Sequence, residues 1–147
     1  MKLKIVNKSK NEMPAYATEG SAGFDLRANL DTKIVLGPGE IKLIPTGLFM
    51  EIPFGYEGQV RTRSGLALKR GLTVLNSPGT VDSDYRGEVG VILINHTVVL
   101  QTIEHGERIA QMVISKHETA WIESVESLEE LASTDRGQGG FGSTGIK

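Results

Sequence analysis

The sequence predicts an all-β fold with one short helix, and three observations carry that prediction. Apolar residues recur in short runs rich in Val and Ile rather than at helical spacing. Turn signals such as Gly37-Pro38-Gly39 and Pro53-Phe54-Gly55 separate the runs. Eighteen glycines and five prolines among so many brief runs favour a sheet that closes on itself or packs on a second sheet over an open one.

Taken in order, the runs predict strands at residues 3–6, 33–36, 41–44, 48–52, 59–63, 72–75, 88–94, 98–103 and 108–115. The helix is predicted at residues 64–70, where Ser64 is a candidate N-cap, Leu66 to Arg70 are good helix formers, and Gly71 supplies the stop. Residues 128–131 suggest one further helical turn. A chain of 147 residues that is 39% hydrophobic can bury one ordinary core, so a single domain is expected. The expected division is a β-barrel core at 1–121 followed by a linker and glycine-rich arm at 122–147.

Charge and composition narrow the function. With 16 Lys and Arg against 18 Asp and Glu the net charge is −2, which gives no global attraction to nucleic acid or an anionic membrane. Any phosphate ligand must be held by local geometry. There is no cysteine, so disulfides and thiolate chemistry are out and a reducing cytoplasm is the expected setting. The N-terminal segment turns polar after three or four apolar residues, far short of a signal sequence or a membrane span. In that setting the sequons at Asn7 and Asn95 carry no meaning.

Four segments hold the residue types that chemistry needs. Residues 136–145 combine Arg136, a run of glycines, Phe141, Ser143 and Thr144. Glycines let backbone N–H groups approach phosphate oxygens, the guanidinium can fork onto them, and the two hydroxyls can donate further bonds. The same stretch mimics a dinucleotide fingerprint and a lysine-less phosphate loop, but both need a strand before and a helix after the glycines. Arg63, Ser64 and Gly65 put a cation and a hydroxyl at the start of the predicted helix, where an anion is favoured. Residues 76–87 form a turn-rich bridge holding Asn76, Asp82, Asp84, Tyr85 and Arg86, able to read a planar base through backbone groups and the Asn76 amide. Asp25 lies in Ser21-Ala22-Gly23-Phe24-Asp25-Leu26. His96, His105 and His117 lack metal-ligand spacing, and no Gly-x-Ser-x-Gly elbow is present. Trp121 reads as an anchoring apolar contact.

In this order the segments resemble the five motifs of the trimeric deoxyuridine triphosphatase (dUTPase) family, with Gly106-Glu107-Arg108-Ile109-Ala110-Gln111 as the fourth. The resemblance spans nearly the whole chain. It implies a distorted jelly-roll-like β barrel, a homotrimer with shared active sites, and hydrolysis of dUTP to dUMP and pyrophosphate with Mg²⁺. Asp82 matches the general base that activates water for in-line attack on the α-phosphorus, and Asp25 the acidic residue that supports the metal through water. Arg63, Ser64, Gly65 and Gln111 match phosphate-channel positions. Asn76 with the backbone of Gly79, Thr80 and Val81 would pair with uracil, and cytosine, with its donors and acceptors inverted, would leave buried groups unpaired. Tyr85 would pack under the sugar and leave no room for a ribose hydroxyl. Phe141 would stack on uracil, while Arg136, Gly142, Ser143 and Thr144 would close over the γ-phosphate. Two rivals share the scaffold: a dCTP deaminase, and a trimeric binding module gated by nucleotide.

Overall fold

The computed structural model describes residues 1–140. In chain order the strands are β1 (Lys4–Asn7), β2 (Gly23–Arg27), β3 (Ile34–Leu36), β4 (Ile41–Glu51), β5 (Tyr56–Arg61), β6 (Leu72–Val74), β7 (Gly79–Val81), β8 (Glu88–Asn95), β9 (Gln101–Ile103) and β10 (Arg108–Lys116). The one α-helix among the described residues, α1 (Ser64–Arg70), lies between β5 and β6. Two four-stranded antiparallel sheets, ordered β1-β4-β8-β6 and β2-β10-β5-β7, enclose one core, and β3 with β9 forms a third, two-stranded piece. This is an all-β, jelly-roll-like architecture.

Side-chain alternation makes the layers. Along β8, Val89, Val91, Leu93 and Asn95 point inward while their neighbours face out. Phe24 and Leu26 of β2, Val60 of β5 and Met112 of β10 meet them from the opposite sheet. Each fully buried aliphatic side chain in such a layer contributes roughly 1.5–3 kcal/mol of transfer free energy. Asn95 is the one buried amide in the layer, and its bonds are complete. Its Nδ2 donates to Leu36 O at 3.0 Å and Val99 O at 2.8 Å, and its Oδ1 accepts from Thr97 N at 2.9 Å.

The structure redraws several predicted elements. Residues 41–44 and 48–52 belong to one strand, β4, which continues through an irregularity between Pro45 and Phe49 with Gly47 at φ 71°. Residues 98–100 are not strand; Asn95 holds them in a turn, and β9 begins only at Gln101. Two short strands, β2 and β7, lie inside segments read only for their chemistry. The N-cap of α1 is Arg63, not Ser64, which is already the first helical residue, and Gly71 closes the helix at φ 57°. A 3₁₀ turn forms at Leu128–Glu130, close to where one was expected.

Candidate active site

Strand register brings the first cluster together. Gln111 of β10 lies opposite Asp25 of β2 on one side and Arg61 of β5 on the other, so the three share one face of the sheet. In a regular strand Arg108 and Gln111, three apart, would point to opposite faces. A register shift between Arg108 and Ala110 changes that. Ile109 and Ala110 both turn inward, and Arg108 joins Gln111 on the outer face.

Asp25 is the centre of this cluster. Arg63 Nε donates to its Oδ1 at 2.7 Å, and Arg108 Nη1 to its Oδ2 at 3.3 Å. Arg63 Nη1 also reaches Arg108 O at 3.3 Å. Together with Ser64, Gly65 and Gln111 these residues line a polar cleft of about 370 Å³. A recess of about 250 Å³ beside residues 11–17 shares Asp25 and Arg108 with it. One carboxylate shared by two guanidinium groups leaves one positive charge uncompensated at the cleft, which suits an anion. Arg108 was not singled out from the sequence. It lies within the fourth motif, but only the bulge aims it at Asp25.

The second cluster is a hairpin. Strand β7 pairs with β5, Gly79 opposite Val60 and Val81 opposite Gly58. The Asn76 amide lies so close to Gly79 that a Cβ there would sit 2.8 Å from Asn76 Nδ2. Asp82 is exposed at the end of β7, and Tyr85 N donates to Asp82 O at 3.1 Å to close the turn that follows. Thr80 is also exposed.

Thr62 joins the clusters. Its carbonyl accepts from Gln111 Nε2 at 3.1 Å, its Oγ1 accepts from Val74 N at 2.9 Å, and its N–H donates to Ser77 Oγ at 3.4 Å. One residue therefore braces the cleft on one side and the hairpin on the other.

Other sequence-derived positions fall elsewhere. Asn76, Asp82 and Tyr85 do not line the cleft around Asp25. Arg136 is exposed in the arm, where its Nε donates to Gly139 O at 2.7 Å. Phe141, Gly142, Ser143 and Thr144 lie outside the described residues. His105 Nδ1 accepts from Leu30 N at 3.2 Å. Trp121 is not anchored among the described residues; it is 93% exposed, because the extended segment after β10 runs clear of the core. Among the described residues no three His, Asp or Glu side chains converge to hold a metal, and no helix is long and apolar enough to cross a membrane.

A jelly-roll-like β fold with an anion-receptive cleft, braced against a hairpin of exposed backbone and amide groups, defines a class of nucleotide-handling β-barrel proteins. The dUTPase family pattern matches residues 9–145, and the chain belongs to that family. It is 51% identical over 145 residues to the deoxyuridine 5′-triphosphate nucleotidohydrolase of Finegoldia magna, covering 99% of each chain. The structure of the Staphylococcus bacteriophage 80alpha dUTPase G164S mutant with dUpNHpp is similar at a TM-score of 0.87 and 29% identity, with 99% of each chain covered. So is the D95N mutant dUTPase of the S. aureus phage phi11, described with a structural Mg(II) ion, at a TM-score of 0.78 and 25% identity over 88% of this chain and 100% of that one.

Proposed function

We propose that the chain is a dUTP diphosphatase releasing dUMP and pyrophosphate, with Asp82 as the base. The observation that carries the reading is the cleft of Asp25, Arg63, Ser64, Gly65, Gln111 and Arg108, braced through the Thr62 main chain to Ser77 in the segment that bears Asn76 and Asp82. Arg63, Ser64 and Gln111 hold phosphate oxygens, and the substrate's negative charge takes over part of the Arg63 and Arg108 interaction that Asp25 now satisfies. Asn76 and the backbone of Gly79, Thr80 and Val81 read the uracil edge, and Tyr85 packs against the sugar. Asp82 orients a water and accepts its proton as the water oxygen attacks the α-phosphorus, with pyrophosphate leaving in line. Arg136, Phe141, Gly142, Ser143 and Thr144 close over base and phosphates and exclude water.

A metal fits this site only as the substrate's companion. Both Asp25 oxygens already accept from arginines, and among the described residues no acidic cluster converges nearby. The triphosphate would therefore supply most of the ligands for Mg²⁺, and Asp25 would support it through water. The chemistry it adds is neutralisation of charge on the phosphates.

The site is completed by neighbouring copies in a homotrimer, with residues 1–121 as the core and 122–147 as the reaching arm. Two features support that assembly: within one chain Asn76 and Asp82 do not line the cleft around Asp25, and the first sheet has an apolar outer face, where Leu43 is 66% exposed beside Ile41. The absence of cysteine suits a cytoplasmic setting, and a net charge of −2 gives no global attraction to nucleic acid or an anionic membrane as partners. The deciding experiment incubates the full chain with dUTP, dCTP, dTTP or UTP and Mg²⁺. Pyrophosphate and dUMP from dUTP alone are expected. Ammonia from dCTP, or no product from any of the four, overturns the reading.

A further inference from the structure

Tyr85 is held at three points. Its N–H donates to Asp82 O at 3.1 Å, its carbonyl accepts from Arg86 Nη1 at 2.9 Å, and its hydroxyl donates to Glu88 O at 3.0 Å. The receiving residue is itself fixed, because Glu88 opens β8 opposite Phe49 and its Oε1 accepts from Gly47 N at 2.7 Å. To reach Glu88 O the ring must cross directly over Gly87. A Cβ at that position would overlap the Tyr85 hydroxyl oxygen and Cζ, and would sit 2.9 Å from Cε2. The hydroxyl is thus committed to the sheet, and the ring is left to act by its shape.

We propose that Gly87 is a specificity-determining positioning residue: its missing side chain lets Tyr85 lie against the chain, so that the ring blocks the space a ribose 2′-hydroxyl would need. This rests on the dUTP reading and on Tyr85 facing the sugar. The conflict created by a larger residue is with the far end of a side chain that is 47% exposed, so the ring swings outward while the backbone turn stays closed. Asp82, bonded to Tyr85 through main-chain atoms only, keeps its place.

The test compares kcat/KM for dUTP and UTP in the full-length protein. Gly87→Ala is expected to lower the dUTP:UTP ratio by about tenfold or more, chiefly by raising activity on UTP. In a Tyr85→Ala background the same substitution is expected to add nothing to the ratio, since the ring through which it acts is gone. Tyr85→Phe removes the Glu88 bond without adding bulk, and is expected to lower the ratio by about two- to fivefold. That variant carries the test if Gly87→Ala fails to fold. A wild type that releases no pyrophosphate from dUTP overturns the reaction and this inference together. A wild type that selects dUTP, with a ratio unchanged by Gly87→Ala or by Tyr85→Phe, overturns this inference alone.

Discussion

Between Lys4 and Lys116 nearly every inward side chain meets one from another strand, and buried polar groups such as Asn95 and Thr46 are bonded on both sides. Past His117, whose N–H donates to Gly55 O, the rule reverses. Trp121 and Ile122 are 93% and 92% exposed, Leu128 and Leu131 are exposed too, and the hydrogen bonds from Ser127 to Gly139 close only local turns. The first region has its hydrophobic core complete within one chain, although Ile41 and Leu43 leave an apolar outer face. The second carries apolar residues that nothing among the described residues covers, which suits the proposed closure against a neighbouring copy or a ligand. Stability and activity therefore separate along the sequence, and substitutions can be placed on either side of that division.

The largest effect falls where activity depends on the core and stability does not. Asp82 is exposed, so Asp82→Asn is expected to leave the melting temperature unchanged while kcat for dUTP falls by about 10³-fold or more. Pyrophosphate release measures the first quantity and thermal unfolding the second, and wild-type turnover would remove Asp82 from the mechanism. Removal of residues 134–147 tests the arm in the same two currencies. The expected loss in kcat/KM is about 10²-fold or more, with unfolding shifted by no more than about 2 °C. A truncated chain that hydrolysed dUTP normally would make the arm a passive tail.

Leu93→Ala inverts the pattern. Leu93 is fully buried in β8, and its truncation is expected to cost about 2–5 kcal/mol in denaturant unfolding, with little change in kcat for the fraction that remains folded. Thr62 lies at the boundary between the two kinds of residue. Thr62→Val keeps the shape but leaves Val74 N–H without its acceptor, which is expected to cost about 1–3 kcal/mol, while Thr62→Ser restores it. The bonds from Thr62 to Gln111 and Ser77 run through main-chain atoms that Thr62→Val keeps, so KM for dUTP is expected to stay close to the wild-type value. A Thr62→Val enzyme with a markedly raised KM would show that the side chain, and not the main chain alone, holds the brace.

The sequence made the core legible where periodicity is local. Val89, Val91 and Leu93 alternate with residues that face out, and α1 is bounded by Gly71, so both elements follow from spacing and chain punctuation. It misled where Pro45 and Gly47 interrupt β4, because those residues signal a turn in a single sequence and only the pairing with β8 reveals a continuous strand. The residue types of the cleft were legible as motifs, yet their convergence was not. It depends on the register of β2, β10 and β5 and on the bulge at Ile109, all of them long-range facts. Arg108 was missed for that reason.

The smallest effect gives the sharpest contrast, because two exposed glutamates on opposite sides of the division titrate in the same direction. Glu51, in β4, is lowered from its ordinary 4.5 first by a hydrogen bond from Lys4 Nζ and then by that ammonium's charge. Glu129, in the 3₁₀ turn, is lowered by the Ser127 side chain and the backbone amide of its own residue. A carboxylate whose pKa is depressed by folding adds stability above its unfolded pKa, and that stability fades as pH falls through the lowered value. For Glu51 the pair bridges β1 and β4, so Glu51→Gln is expected to lower the melting temperature by about 1 °C at pH 7 and by nothing measurable in acid below both pKa values. Glu129 is held only by groups of its own turn, so Glu129→Gln is expected to leave global unfolding unchanged at every pH. If the two variants shifted unfolding alike, the turn would be part of the cooperative unit, and the boundary drawn at His117 would have to move past residue 130.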